Sequence, residues 1–230
     1  MTRTTGPAPA TATLLVLADG RLPTGGHVHS GGMEEAVTDG RVGDVSDLRA
    51  YVRGRLATAG LVDAALAGAG ADLGAAPEGW AELDSEAAAR CPASALRQAG
   101  RSQGRGLVRV ARRLWPAPVL DTVAAVHADG PLWPVAVAAA AVAAGVDRAG
   151  AALVAAQASV TAPGWAAVRL LGLDPFAVAL VLADLAPAVD MVVAQALDSP
   201  AGGPLPAASG PLCDIAAQIH ARRAVRLFAS

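Results

Sequence analysis

Between Leu132 and Val146 the chain runs fifteen residues without a charged side chain, and seven of them are alanine. Alanine is the strongest helix former and a poor strand former. The bias extends over all 230 residues: about one in four is alanine, isoleucine occurs only at Ile215 and Ile219, and tyrosine only at Tyr51. The expected fold class is all-α, a single-domain helical bundle of about eight to ten helices. A bilayer span needs about 20 apolar residues, so this run reads as a buried core helix and no membrane role is expected. The start of the chain lacks the long apolar centre of a secretory signal. Two cysteines, Cys91 and Cys213, form no CxxC pair and suit a reducing, cytoplasmic compartment.

Absences narrow the chemistry. All 18 basic residues are arginine. Without lysine there is no P-loop and no Schiff-base chemistry. A net charge of −2 gives the chain no electrostatic case for nucleic acid. No nucleophile sits in an elbow context, and the chain does not read as an enzyme.

Four regions follow from the punctuation. Residues 1–10 read as a disordered arm, 11–198 as the helical domain, 199–211 as a Gly/Pro/Ala linker, and 212–230 as a C-terminal helix and docking tail. A turn-rich loop over 20–29 follows a first short helix. Ser30 then reads as an N-cap, with Glu34 and Glu35 in the favourable first turn. A stripe at Leu48, Val52, Leu56, Val62 and Leu66 predicts a helix from Ser46 that ends among Gly68, Gly70 and Gly74. Another should run from Pro77 to Ala89. Downstream, helices are expected near 119–128, 132–144, 147–161, 165–171 and 175–197, with a break at Pro163-Gly164 and a kink at Pro187.

The segment from Pro92 to Trp115 is the clearest amphipathic signal. Leu96, Leu107, Val110 and Leu114 fall on one arc, while Arg97, Arg101, Arg105, Arg109 and Arg112 fall on the other. No acid lies nearby in sequence. The ridge reads either as a solvated face or as a dock for an acidic partner. The tail is the other oddity: Val225, Leu227 and Phe228 stand among Arg222, Arg223 and Arg226, and an end like that docks rather than dangles.

Metal readings are weak. His27 and His29 form an HxH pair without a third ligand. Cys213 and His220 share a helix face. Asp184 and Asp190 straddle Pro187, where capping is the simpler role. The glycines Gly25, Gly26, Gly31 and Gly32 let the backbone pack closely.

Four segments together resemble the urease accessory protein UreF family. Leu14 to Gly26, containing Leu22-Pro23-Thr24-Gly25-Gly26, with His29-Ser30-Gly31-Gly32-Met33-Glu34 after it, is similar to the family's N-terminal signature. Leu96 to Arg105 resembles its Arg/Ser/Gly-rich helix. Ala166-Ala167-Val168-Arg169-Leu170 with Gly172 resembles its AAVRL segment, and Arg226-Leu227-Phe228-Ala229-Ser230 resembles its ending. His27 stands where phenylalanine is usual, Met33 replaces leucine, and Leu173 to Ala177 lacks the usual glutamine-rich continuation.

The resemblance implies a dimeric, non-enzymatic scaffold. Family members bridge a UreD/UreH-type protein and the UreG-type GTPase, and the assembly delivers nickel to apo-urease with GTP hydrolysis. No tightly bound cofactor is implied, only transient nickel. Carried over, Arg226, Leu227 and Phe228 become partner contacts; from the charge pattern alone, Arg222, Arg223 and the ridge residues Arg97, Arg101 and Arg105 are further candidates. Pro23, Gly25, Gly26, Ser30 and Glu34 belong to the packed signature. The alternative reading is a helical metal- or ligand-binding bundle using His27, His29 and His127.

Overall fold

A computed structural model describes residues 11–198 and 203–228, with His27 described in its backbone only. The expected N-terminal arm and the first part of the linker lie outside the described residues. Among the described residues there is no strand. The α-helical segments are α1 (Thr11–Leu17), α2 (Met33–Thr38), α3 (Val45–Arg55), α4 (Leu61–Leu73), α5 (Trp80–Ala89), α6 (Ser94–Leu114), α7 (Pro118–Ala124), α8 (Trp133–Ala144), α9 (Arg148–Leu171), α10 (Pro175–Asp184), α11 (Ala186–Leu197) and α12 (Pro211–Ala221). The fold class is all-α, as expected.

The alanine run becomes α8, the axis of the bundle. Every residue from Pro134 to Ala141 is buried. A helix that is apolar all round has no solvent face to offer, so α4, α5, α6, α7 and α9 surround it. Methyl-sized side chains keep such pairs near the short end of the usual 8–10 Å interaxial spacing. One close approach is at Gly70 on α4: a Cβ there would lie 2.5 Å from the Ala138 Cβ and 2.8 Å from Leu83 Cδ2. The few large groups fill the gaps. Trp80 is fully buried, and its indole N–H donates to the Ala76 carbonyl at 2.9 Å.

The stripe that predicts one helix from Ser46 holds. Asp44 caps α3 by accepting the Asp47 amide, and α3 runs into α4 through a π turn, Leu56–Gly60, as one 29-residue rod. The turn meets α9 where Gly60 faces Ser159; a Cβ on Gly60 would sit 2.6 Å from Ser159 Oγ.

The expected break at Pro163-Gly164 does not occur, because α9 continues from Arg148 to Leu171 with the proline inside. Proline forfeits one backbone hydrogen bond, but packing outweighs it here. Pro163 and Gly164 are both buried, against Gly31 on one side and Leu182 on the other. At Pro187 the expected interruption is present, and α10 and α11 meet at 42°.

Two rods, Val45–Leu73 and Arg148–Leu171, have the length and apolar content of a bilayer span. The expectation that no segment would qualify considered only unbroken apolar runs, and it is corrected here. More than half of each apolar window is buried in the bundle, where the two rods pack on each other. The described part of the linker, 203–210, is a strap rather than a free connection. Arg90 donates to the carbonyls of Leu205 and Pro206.

Two glycine substitutions separate close approach from helix propensity. Gly54→Ala on α3 meets open space and should stabilise by about 0.5–1 kcal/mol. Gly70→Ala should destabilise by about 1–2 kcal/mol despite the same gain in propensity. Urea unfolding midpoints of the two variants check both signs.

Candidate functional site

Three of the four family-like segments, distant in sequence, meet at one place. The short helix α2 is entered through Gly31 and Gly32, both left-handed at φ 64° and 85°, conformations that glycine adopts without strain. Gly32, not Ser30, is the residue before the helix. Ser30 is fully buried and still caps it, since its Oγ accepts the Glu34 amide at 3.3 Å. Tyr51 on α3 clamps the loop by donating to the Gly31 carbonyl at 2.9 Å.

Glu34 and Glu35 are both buried, which helix-dipole reasoning does not anticipate. Their partners come from the other end of the chain. Glu34 Oε1 accepts the Leu227 amide at 2.7 Å, and Oε2 accepts the Phe228 amide at 2.9 Å. His220 Nε2 on α12 lies 2.8 Å from the same Oε2. Arg223 grips Glu35 with two bonds of 2.6 and 2.7 Å, the bidentate fork that carboxylates favour. The Arg169 guanidinium lies 4.2 Å from the centre of the Phe228 ring, within cation–π range. The tail is thereby clasped to its own domain. Phe228 is 4% exposed, while Leu227 and Val225 point outward at 74% and 85%.

The Glu34 carboxyl is held below its usual value. Burial pushes it up, but the Leu227 amide, His220 and the Phe228 amide together outweigh burial.

The arginine ridge is largely absorbed by the fold. Arg101 is 8% exposed and pairs with Asp84 of α5, Nη2 to Oδ2 at 3.0 Å. It also donates to the Gly130 carbonyl at 2.6 Å, while Asp84 accepts the Leu132 amide at 2.8 Å. Arg101 is therefore no part of a free docking face. Arg97 turns back to the carbonyls of Cys91 and Pro92, and Arg105 donates to the Asp129 carbonyl. Arg112 pairs with Asp121 at 2.6 Å. The acids are absent from the local sequence because neighbouring helices supply them. Gly104 and Gly106 on the same helix leave room for the carbonyls of Pro131 and Thr24, so α6 seats the 20–25 loop carrying Pro23 and Gly25.

The metal reading finds no support among the described side chains. His29 is buried, the His27 side chain lies outside the described residues, and His127 is on an exposed turn where its Nδ1 accepts the Asp129 amide. His220, which shares a helix face with Cys213, directs its Nε2 to Glu34. Asp184 pairs with Arg49 at 2.8 Å on the surface. Among the described residues no three His, Cys, Asp or Glu gather as a metal site. A cavity of about 170 Å3 between α4, α6 and α12 is lined by Arg55, Thr58, Asp63, Cys91, Gln103 and Cys213. Burial pushes Asp63 up to about 6 and the Cys91 thiol up to about 11. Such a thiol stays protonated at neutral pH and is no activated nucleophile.

Sequence reasoning missed Asp84, Arg169 and the Glu34–His220 contact. The signal for the last was a histidine and one of the chain's two phenylalanines placed among arginines, but the signal names no partner.

Two outcomes follow. Arg101→Met leaves Asp84 buried without its ion pair and should cost about 3 kcal/mol or more, read from urea unfolding. The folded Glu34 carboxyl titrates below the ordinary 4.5, so the clasp contributes fully above that value and weakens as pH falls through the lower folded one. The drop in unfolding free energy between pH 6 and pH 3 should be smaller in Glu34→Gln than in the parent chain.

A sequence model of the UreF family matches residues 42–186. The chain is 46% identical over 220 residues to the urease accessory protein UreF of Mycolicibacterium vanbaalenii, covering 95% of this chain and 98% of that one. It is 47% identical over 218 residues to the UreF of Mycobacterium sp. (strain JLS), with the same coverage of both chains. The UreF of Mycobacterium tuberculosis (strain ATCC 25618 / H37Rv) is 41% identical over 221 residues, again covering 95% and 98%. With its motifs meeting at one clasp and relatives matched over nearly their whole length, the chain belongs to the UreF family.

Proposed function

We propose that this protein is a urease accessory protein that acts as a dimeric, non-catalytic scaffold. It bridges a UreD/UreH-type protein and a UreG-type GTPase during GTP-dependent nickel insertion into apo-urease. Nickel is cargo in this reading, met transiently, and the work is done in the cytoplasm.

The observation that carries the reading is the surface built by α12 and the clasped tail. Leu212, Ile215 and Ile219 are exposed at helical spacing along one face, and Val225 and Leu227, a few residues beyond the end of that helix, are exposed as well. Leucines and isoleucines left in water beside an anchored arginine-rich tail are what a partner interface needs at its core. The arginines divide by role. Arg223 and Phe228 anchor the tail, whereas Arg222, Arg226, Leu227 and Val225 face outward and are the contacts proposed for the UreD/UreH-type protein. On α6, Arg105, Arg109 and Arg113 remain exposed and are proposed as a second, weaker contact for an acidic partner surface. Arg97 and Arg101 are left with internal roles.

Co-purification with a UreD/UreH-type protein tests the reading. Ile215→Ser with Ile219→Ser should lower the affinity at least tenfold, a loss of about 1.4 kcal/mol, with unchanged helicity by circular dichroism. A fully retained complex would reject α12 as the docking face.

A further inference from the structure

We propose that the cavity between α4, α6 and α12 binds a small aliphatic amino acid as its zwitterion, with the carboxylate on Arg55 and the ammonium on Asp63. This site is separate from the scaffold reading and does not depend on it. Arg55 closes α3 and Asp63 lies in the first turn of α4, so both stand on the Val45–Leu73 rod, eight positions apart. The rod sets their spacing, and residues 208–214 supply only part of the lining.

Arg55 and Asp63 carry opposite charges into one cavity, and the protein satisfies neither. The Arg55 Nε is buried without an acceptor. Arg55 attracts Asp63, but the two do not meet in an ion pair. Burial pushes the Asp63 carboxyl up to about 6, opposed only by the attraction of Arg55, because no hydrogen-bond donor reaches it to bring it down. A guanidinium and a carboxylate left in this way are costly away from bulk water. The cavity, about 170 Å3, is larger than one water needs, so a small solute fits between the two.

The charges select the ligand. A plain anion would meet Arg55 but face Asp63, and Asp214 of α12 adds further negative charge to the lining. A plain cation would meet the carboxylates but face Arg55. Arg90, the other arginine of the lining, is already occupied by Glu86 and by the carbonyls of Leu205 and Pro206. A zwitterion offers each group its opposite, and hydrogen bonds between charged partners are about twice as strong as neutral ones. A guanidinium also takes a carboxylate through two parallel bonds. Val62, Leu66 and Leu96 give the cavity an apolar wall, on which a methyl or isopropyl group buries its surface.

Isothermal titration calorimetry of the full chain tests the proposal with L-alanine as the probe. One site should appear, with a Kd at or below about 1 mM. Acetate and methylammonium, which carry one charge each, should bind at least about tenfold more weakly. Arg55→Met and Asp63→Asn should each weaken L-alanine by about tenfold or more, with helicity by circular dichroism unchanged. If either variant folds poorly, the three probes on the parent chain still decide. No saturation by L-alanine, in calorimetry and in ligand-observed NMR, leaves the cavity to water and overturns the proposal. Acetate binding as tightly as L-alanine overturns the part given to Asp63, and methylammonium doing so overturns the part given to Arg55. L-alanine binding that neither substitution weakens lies elsewhere on the chain and overturns the site.

Discussion

Helices lined with methyl groups must come close before they touch at all. That constraint governs this bundle. With α8 buried along Pro134 to Ala141 and crossed by α4 at Gly70, the core is held by many short contacts rather than a few large side chains. Dispersion falls off steeply with separation, so small shifts of one rod are felt by its neighbours. The long rods Val45–Leu73 and Arg148–Leu171 meet the same demand by packing on each other. A proline at position 163 and a π turn at Leu56–Gly60 are accommodated because packing on both sides leaves no other path.

A core with so few shapes in it says little about which loop goes where. The buried ions supply that information. Asp84 with Arg101, Glu34 with the tail amides, and Glu35 with Arg223 each join segments far apart in the chain. A buried charge is tolerable only when its partners are all in place. Each of these groups therefore accepts one arrangement of the surrounding chain and penalises the others. The clasp is the clearest case, because the N-terminal signature, the AAVRL-like segment and the tail meet there and nowhere along the sequence.

Function, in the reading proposed above, follows from the same division of labour. Some of the apolar groups that the core does not use lie outside on α12 and on the tail, while the charged groups behind them keep the tail in place. A scaffold of this kind needs no converging reactive groups, and in the cavity between α4, α6 and α12 burial keeps the Asp63 carboxyl and the Cys91 thiol protonated more readily than usual.

By itself the sequence determined the helical class, the course of the rod from Ser46, the interruption at Pro187 and the family resemblance, since propensity, period and short motifs are local properties. It also showed that the tail should dock, because apolar residues at a charged end are visible without coordinates. Only the tertiary structure decided where. The acids opposite the arginine ridge, the uninterrupted course of α9 through Pro163, and the meeting of Glu34 with Leu227 and Phe228 depend on residues nine to nearly two hundred positions apart. Local pattern cannot encode such pairings, because an arginine facing water and an arginine facing a distant aspartate read identically along the chain.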